Sequence, residues 1–347
     1  MVRFGNLIPI PTAPVETLIK VGIRTEEVGF DSVWAADHLL MIPSGIVPDV
    51  WPILSVIANQ TNKIELGTCV SDPHRRHPAV FAQMAATLDQ ISKGRTIVGL
   101  GPGEAMNVEQ FGIEWDKPVS RLIEFTEILR NLWVRDSFSF EGKFWRLKNS
   151  FLQIKPVRNP IPIYFGANGK RTIKLTGEIA DGWIPTPRNP RLYRKQLSEI
   201  KNAAESAGRS FENFDACLYV YAAISKNRTD ALNQLKSIKP QIAFFPKVIE
   251  DAGYDVEIPE KFSINLYSDI LLDEAGFKLY EDFGRYIPDE VVEDFSIVGT
   301  PKDCEEKVEE FVKAGVRHFI LVNMGPDPKY VLEFFSKRII PSYKEVD

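Results

Sequence analysis

The sequence predicts an α/β fold, a single (β/α)8 TIM barrel over residues 1–347, and three observations carry the prediction. Short apolar runs rich in β-branched residues recur, a longer segment of helical period follows each, and eight such runs can be counted. No repeat, low-complexity tract or Gly/Ser linker divides the chain, so one domain is expected rather than two. A chain of 347 residues holds a barrel of about 250 residues with room for insertions. Alternation does not by itself close a barrel, and a doubly wound open sheet is the alternative that the pattern leaves.

Strand one is expected over Val2–Pro9, followed by a helix over Thr17–Val28 with Leu18, Val21 and Thr25 on one side and Gly29 as its C-cap. Ser32–Ala35 reads as strand two and ends at Asp37-His38. A loop marked by Pro43, Gly45 and Pro48 precedes a helix from Trp51 to Gln60, and Ile64–Val70 reads as strand three. Pro78 stands where a first-turn proline belongs, and the alanine-rich Ala79–Ile91 is amphipathic, closed by Lys93-Gly94. Ile97–Leu100 is strand four. After a helix over Val119–Trp133, alternating aromatics around Glu141-Gly142 predict a β-hairpin at about 138–147, an insertion laid over the barrel. Ile161–Phe165, Gly182–Ile184, Ala216–Ala223 and Arg317–Val322 supply strands five to eight. The acidic, aromatic stretch at about 239–295 is expected to add helices, a second insertion after strand seven.

Composition narrows the functional classes. With 44% hydrophobic and 26% charged residues the chain has the balance of a soluble globular protein able to bury a large core. A net charge of -5 with scattered Lys and Arg gives no basic footprint, so no nucleic-acid partner is expected. Cys69, Cys217 and Cys304 are too few and too widely spaced for a disulfide framework or a CxxC metal site, and suit a reducing compartment. Pro9 and Pro11 interrupt the first apolar run, and no stretch reaches the roughly 18 apolar residues of a membrane helix. The expectation is a cytoplasmic protein acting on a small molecule.

In a parallel barrel, catalytic groups stand just past the C-terminal ends of strands. Strand two ends in Asp37-His38, strand three in Cys69-Val70-Ser71-Asp72, strand four in the run from Gly101 to Asn107, and strand five in Gly166-Ala167-Asn168-Gly169. All four ends would converge on one face. A His beside a carboxylate can act as acid or base near neutrality, with a structural His the equal alternative for that pair alone. Gly101-Pro102-Gly103-Glu104 lets backbone approach a flat ligand and puts a carboxylate at the rim, but it lacks the third glycine of a dinucleotide fingerprint. Gly166–Gly169 followed by Lys170, Arg171 and Thr172 offers free helix N–H groups and two cations to an anion, or is a plain glycine turn before a solvated helix. His74 and His77 come with no third ligand, so no metal is expected there, and His318 inside a strand reads as structural.

Taken together, several motifs resemble the luciferase-like barrels, and among them the group that uses the deazaflavin coenzyme F420. They are Asp37-His38; Leu66 to Val70 continuing to Arg76-His77-Pro78-Ala79; Thr87-Leu88-Asp89; Gly94-Arg95; Gly101 to Asn107; Phe111-Gly112-Ile113 with Lys117-Pro118-Val119; Gly177 to Gly182; and Val298-Gly299-Thr300-Pro301. The resemblance implies that Asp37 and His38 stand at the deazaflavin ring, with His38 as proton donor or acceptor and Glu104 as a second catalytic carboxylate. It implies a non-prolyl cis peptide at Cys69-Val70 behind the ring, cofactor contacts from Asp72, Pro102, Gly103 and Asn107, and a phosphate cradle of Asn168, Gly169, Arg171 and Thr172. A homodimer is also implied. In a deazaflavin, carbon replaces the ring nitrogen that reacts with oxygen, so the cofactor carries hydride as a nicotinamide does. FMN on the same barrel, as in the monooxygenases, is the alternative cofactor, and a non-catalytic flavin-binding barrel the alternative class.

For the substrate the resemblance divides. Gly112 to Val119 is similar to the methylenetetrahydromethanopterin reductases, whereas Gly103 to Val108 is similar to sugar-phosphate dehydrogenases and long-chain ketone reductases. Leu39, Leu40, Met41 and Ile42 follow His38 where the alcohol and sugar-phosphate relatives place a Trp, and Leu7 stands where the pterin reductases carry a Glu. The resemblance thus implies a pterin-bound one-carbon unit or a ketone or secondary alcohol, larger and less polar than a small polyol.

Overall fold

Parallel strands covered by helices on one side and a packed lumen on the other must be apolar throughout. That is the burial pattern of β1 (Arg3–Leu7), β2 (Ser32–Ala35), β3 (Glu65–Thr68) and β4 (Thr96–Leu100) in the computed structural model, which describes residues 1–257, 259 and 272–344. An antiparallel hairpin follows, β5 (Phe138–Glu141) with β6 (Arg146–Ser150), and then β7 (Ile163–Phe165), β8 (Gly182–Trp183), β9 (Asp215–Ile224), β10 (Ile297–Gly299) and β11 (His318–Asn323). Parallel pairing runs β9-β11-β1-β2-β3-β4-β7-β8 and returns to β9 through Gly182↔Asp215 and Trp183↔Ala216. The ring is closed, and the open-sheet alternative falls.

Two details differ from the expected strands. Strand three stops at Thr68, before Cys69-Val70, and β10 is an additional parallel strand on Ala222–Ile224 of β9. With only three residues, β10 carries too little periodicity to stand out behind a stretch read as helical. The hairpin lies against a flanking helix instead of over the barrel: Trp145 packs on Phe125 at 5.7 Å and the Arg121 guanidinium sits 4.4 Å over the Phe144 ring.

The outer helices are α1 (Val15–Glu27), α2 (Val50–Gln60), α3 (Pro78–Ser92), α4 (Ala105–Val108), α5 (Pro118–Val134), α6 (Lys170–Ile179) and α7 (Pro190–Ser206). Their ends follow local chemistry. Asp49 caps α2 by accepting from the Trp51 N–H, Pro78 opens α3 and Lys93 closes it in the left-handed region. Beyond β9 come α8 (Arg228–Leu232), α9 (Leu235–Ala243), α10 (Pro246–Asp251), α11 (Glu274–Gly284), α12 (Asp289–Asp294) and, after β10, α13 (Pro301–Ala314). The expected insertion at 239–295 is therefore helical where described, and its residues 258 and 260–271 lie outside the described residues. Ile238, Ile242, Phe244, Tyr280, Phe283 and Val291 join Met106 and Tyr221 in an apolar cluster that roofs the barrel mouth.

The lumen is filled by Trp34, which needs glycine on both neighbouring strands: a Cβ on Gly5 would stand 2.7 Å from the indole nitrogen and one on Gly67 2.2 Å from the ring. Below it runs a buried polar chain. The Trp34 indole N–H donates to Ser32 Oγ (2.7 Å), which meets His318 Nε2 at 2.6 Å, while His318 Nδ1 meets Asp215 Oδ2 at 2.8 Å; Arg3 binds both Asp215 and Glu65. Burial opposes ionisation of Asp215, but the His318 and Arg3 interactions outweigh it and hold the carboxyl down at about 2. Ser32, His318 and Asp215 have the order of a hydrolytic triad, and Asp215, Cys217 and His318 lie close enough to suggest a metal site. All are buried away from the cavity described below, so the network welds the closed end of the barrel.

Candidate active site

The loops leaving β2, β3, β4 and β7 and the roof helices enclose a cavity of about 540 Å³ at the C-terminal mouth. All thirteen residues singled out from the sequence line it. Most of them fall into four groups.

The first is a clamp. Asp37 is buried, and its carboxylate accepts from Ser71 Oγ (2.6 Å), Arg76 Nη1 (2.9 Å) and Trp51 Nε1 (3.2 Å) and pairs with Arg75 Nη1 (3.0 Å). Burial works against the anion, yet Arg75 and Arg76 overcome it and keep the carboxyl below its ordinary value. Arg75 also binds Asp72, whose Oδ1 accepts the His74 N–H (2.8 Å). Arg75 thus ties the end of β2 to the loop after β3, a role that sequence reading missed. Every oxygen of Asp37 is already occupied, which makes it a residue that shapes the site.

Next comes a platform. The Cys69–Val70 peptide is cis, and the Val70 side chain fits a notch that only glycines leave: a Cβ on Gly101 would meet Val70 Cγ2 at 2.8 Å and one on Gly166 at 3.0 Å. The glycines after β4 and β7 therefore seat Val70 on the floor of the cavity. Burial pushes the Cys69 thiol up to about 12, so it is a neutral neighbour and no nucleophile.

The third is a hydrogen-bonded cluster of His38, Asn107 and Glu104. The Leu40 N–H donates to Asn107 Oδ1 (3.0 Å), and a backbone N–H cannot accept, so the amide orientation of Asn107 is fixed. Its Nδ2 then donates to His38 Nδ1 and to Glu104 Oε2, each at 2.9 Å. Because Nδ1 accepts, the neutral imidazole carries its proton on Nε2. Glu104 Oε2 stands 3.8 Å from His38 Nδ1.

At the far end, Asn168 Oδ1 accepts from Thr186 N (3.3 Å), Thr186 Oγ1 (3.1 Å) and Arg188 Nη2 (3.0 Å), which leaves its amide N–H groups to the cavity. Gly169 caps α6, its N–H donating to Thr172 Oγ1 at 3.2 Å, and Arg171 stands in the first turn. A ten-residue helix starting here adds the positive end of its dipole. Arg188, buried and hydrogen-bonded to Gln196 and Thr186, is the unforeseen residue that orients Asn168. His74 and His77 do not converge: the His74 ring nitrogens meet the carbonyls of Pro102 (3.0 Å) and Glu114 (3.2 Å), and His77 Nδ1 accepts from Ala79 N.

The remaining wall is apolar and aromatic, built by Leu40, Met41 and Ile42 after β2, Tyr219 and Tyr221 on β9, and Phe244, Phe245 and Tyr280 from the roof. Burial raises the phenols of Tyr219, Tyr221 and Tyr280, so all three are neutral donors. Tyr219 and Tyr221 alternate on a recognised strand and were within reach of sequence reasoning. The roof residues were not, since nothing local says where an insertion folds back.

A family model described as luciferase-like monooxygenase matches residues 3–318. The chain is 30% identical over 325 residues to a 5,10-methylenetetrahydromethanopterin reductase from Archaeoglobus fulgidus, covering 92% of this chain and 93% of that one. It is 28% identical over 352 residues to an F420-dependent glucose-6-phosphate dehydrogenase from Microbacterium testaceum, covering 99% and 98%. Among solved structures, an F420-dependent secondary alcohol dehydrogenase in complex with an F420-acetone adduct superposes with a TM-score of 0.84 at 25% identity, covering 99% of both chains.

Proposed function

Because the chain belongs to the luciferase-like family, we propose that it binds coenzyme F420 and catalyses hydride transfer between that cofactor and a carbonyl or iminium carbon of a small organic substrate. The observation that carries this reading is the placement of the His38–Asn107–Glu104 cluster beside the Val70 platform, with an open helix N-terminus at the other end of the same cavity. A flat tricyclic ring fits a floor where Gly101 and Gly166 bring backbone and Val70 together, and a phosphate fits Asn168, Arg171 and the first N–H groups of α6. Bound there, the deazaflavin would supply the hydride.

The chain supplies the proton. His38 Nε2 has no hydrogen-bond partner among the described residues and carries a hydrogen that would be donated to the oxygen of a carbonyl as it becomes an alkoxide, the proton being restored from solvent so that the ring stays neutral. Asn107 holds His38 and Glu104 in register by donating to both. An iminium substrate needs less of this help, so a carbonyl substrate uses the cluster more fully.

A homodimer also belongs to this reading. The outer faces of α2 and α3 present Val56, Val80 and Ile91 to solvent, and the one charged residue in either helix, Asp89, is buried. An uncharged face on a chain with 26% charged residues suits a second copy. Sedimentation of the Val80→Glu/Ile91→Glu double variant should give a monomer. Among the described residues no helix is long and apolar enough to cross a membrane, and the three cysteines are buried free thiols, which suit the cytoplasm.

The activity is tested by incubating the protein with reduced F420 and a panel of methylenetetrahydromethanopterin and ketones, and separately with oxidised F420 and glucose 6-phosphate, which gives up hydride instead of taking it. Consumption of reduced F420 with at least one member of the panel is expected. Oxygen-dependent turnover with FMN, and none with F420, would replace this reading by a monooxygenase.

A further inference from the structure

The roof of the cavity holds a hydroxyl with no partner. Tyr280 on α11 lines the cavity, is 4% exposed, and its Oη makes no hydrogen bond. Of the buried polar atoms in that condition among the described residues, Asn6 Oδ1, Arg130 Nε and Ser296 Oγ belong to residues away from the cavity, so Tyr280 alone sets an unmet donor beside it. Its ring packs edge-on against Phe244 at 5.5 Å, and burial keeps its proton in place. Around it, among the described residues, Leu40, Met41, Ile42, Phe244 and Phe245 supply an apolar, uncharged surface. Among the described residues, the arginines and lysines lining the cavity are Arg75, engaged by Asp37 and Asp72, and Arg171, at the α6 end.

We propose that Tyr280 is the substrate-recognition residue of this cavity, and that its hydroxyl donates to an uncharged oxygen or nitrogen acceptor on a ketone or secondary alcohol with an apolar body. The proposal rests on the hydride-transfer reading above and names its substrate class. It disfavours a phosphorylated sugar, because among the described residues no cation stands on this wall to pair with a buried phosphate. Removing the hydroxyl leaves a site that no longer distinguishes a substrate carrying the acceptor from one lacking it.

The test compares wild type and Tyr280→Phe as holoenzymes, using 2-acetonaphthone and its 6-methoxy derivative with reduced F420, and glucose 6-phosphate with oxidised F420. In wild type the methoxy ketone should be preferred, and in the variant the ratio of kcat/KM for the two ketones should fall about tenfold. Equilibrium dialysis of the methoxy ketone against each holoenzyme should show the same loss of affinity. The variant gives up no protein hydrogen bond, so its thermal midpoint should stand at or above that of wild type. An unchanged ratio, saturable turnover of glucose 6-phosphate, or failure of both ketones to bind would overturn the proposal. Titration of the same samples with F420 separates the two readings: absent F420 binding removes the proposed function, while intact binding with an unchanged ratio removes only the role of Tyr280.

Discussion

Replacing Asn107 by Asp changes one heavy atom of the cluster, nitrogen to oxygen, and almost none of its volume. The carboxylate still accepts from the Leu40 N–H, now at 3.0 Å, so the loop after β2 keeps its anchor. Both donors at 2.9 Å, to His38 Nδ1 and Glu104 Oε2, are lost, and His38 then holds its proton on Nδ1 against the new carboxylate. Nε2 becomes an acceptor and the general acid is gone, a loss of about 10²–10⁴ in the chemical step. Affinity for F420 should change by less than about threefold, because the Val70 platform and the α6 cradle are untouched. Single-turnover hydride transfer, with cofactor affinity from fluorescence titration, measures both. An unchanged rate, or equal loss of affinity and rate, would refute the tautomer argument.

Other variants probe the remaining groups. Glu104→Gln keeps an acceptor for Asn107 but removes the charge near His38, so hydride transfer should slow about tenfold or more with little change in F420 binding; equal losses would mark a structural role. Gly101→Ala drives a methyl to 2.8 Å from Val70 Cγ2, and F420 affinity should fall about tenfold in titration, whereas unchanged affinity would remove Val70 as the platform. Asp215 titrates at about 2 when folded and near 3.9 when unfolded, so its stabilisation of about 2 kcal/mol is present above pH ~4 and is lost as pH falls towards 2. Urea unfolding of Asp215→Asn should show a deficit at pH 7 that shrinks below pH ~4, and a deficit constant with pH would contradict the assignment.

How much of this was legible in the sequence follows from the range of the forces involved. Barrel strands could be counted because burial on both faces makes runs such as Ile97–Leu100 apolar. Residues at strand ends, from Asp37 to Thr172, could be gathered because strand direction alone brings them to one mouth. Partnerships were not legible: that Arg75 saturates Asp37, that Asn107 bridges His38 and Glu104, and that Arg188 turns Asn168 are contacts between residues 3 to 69 positions apart. The roof was the least legible part. The apolar residues of α9 and α11 fit any buried helix, and only tertiary packing sets Phe244 and Tyr280 over the cavity.

The central claim is that the cavity between Val70 and the α6 N-terminus is built for a deazaflavin, and titration of the purified protein with F420 and with FMN tests it most directly. Saturable quenching of F420 fluorescence at micromolar concentration is predicted, with FMN weaker by about a hundredfold or more. Saturable FMN binding with no F420 response would contradict the account.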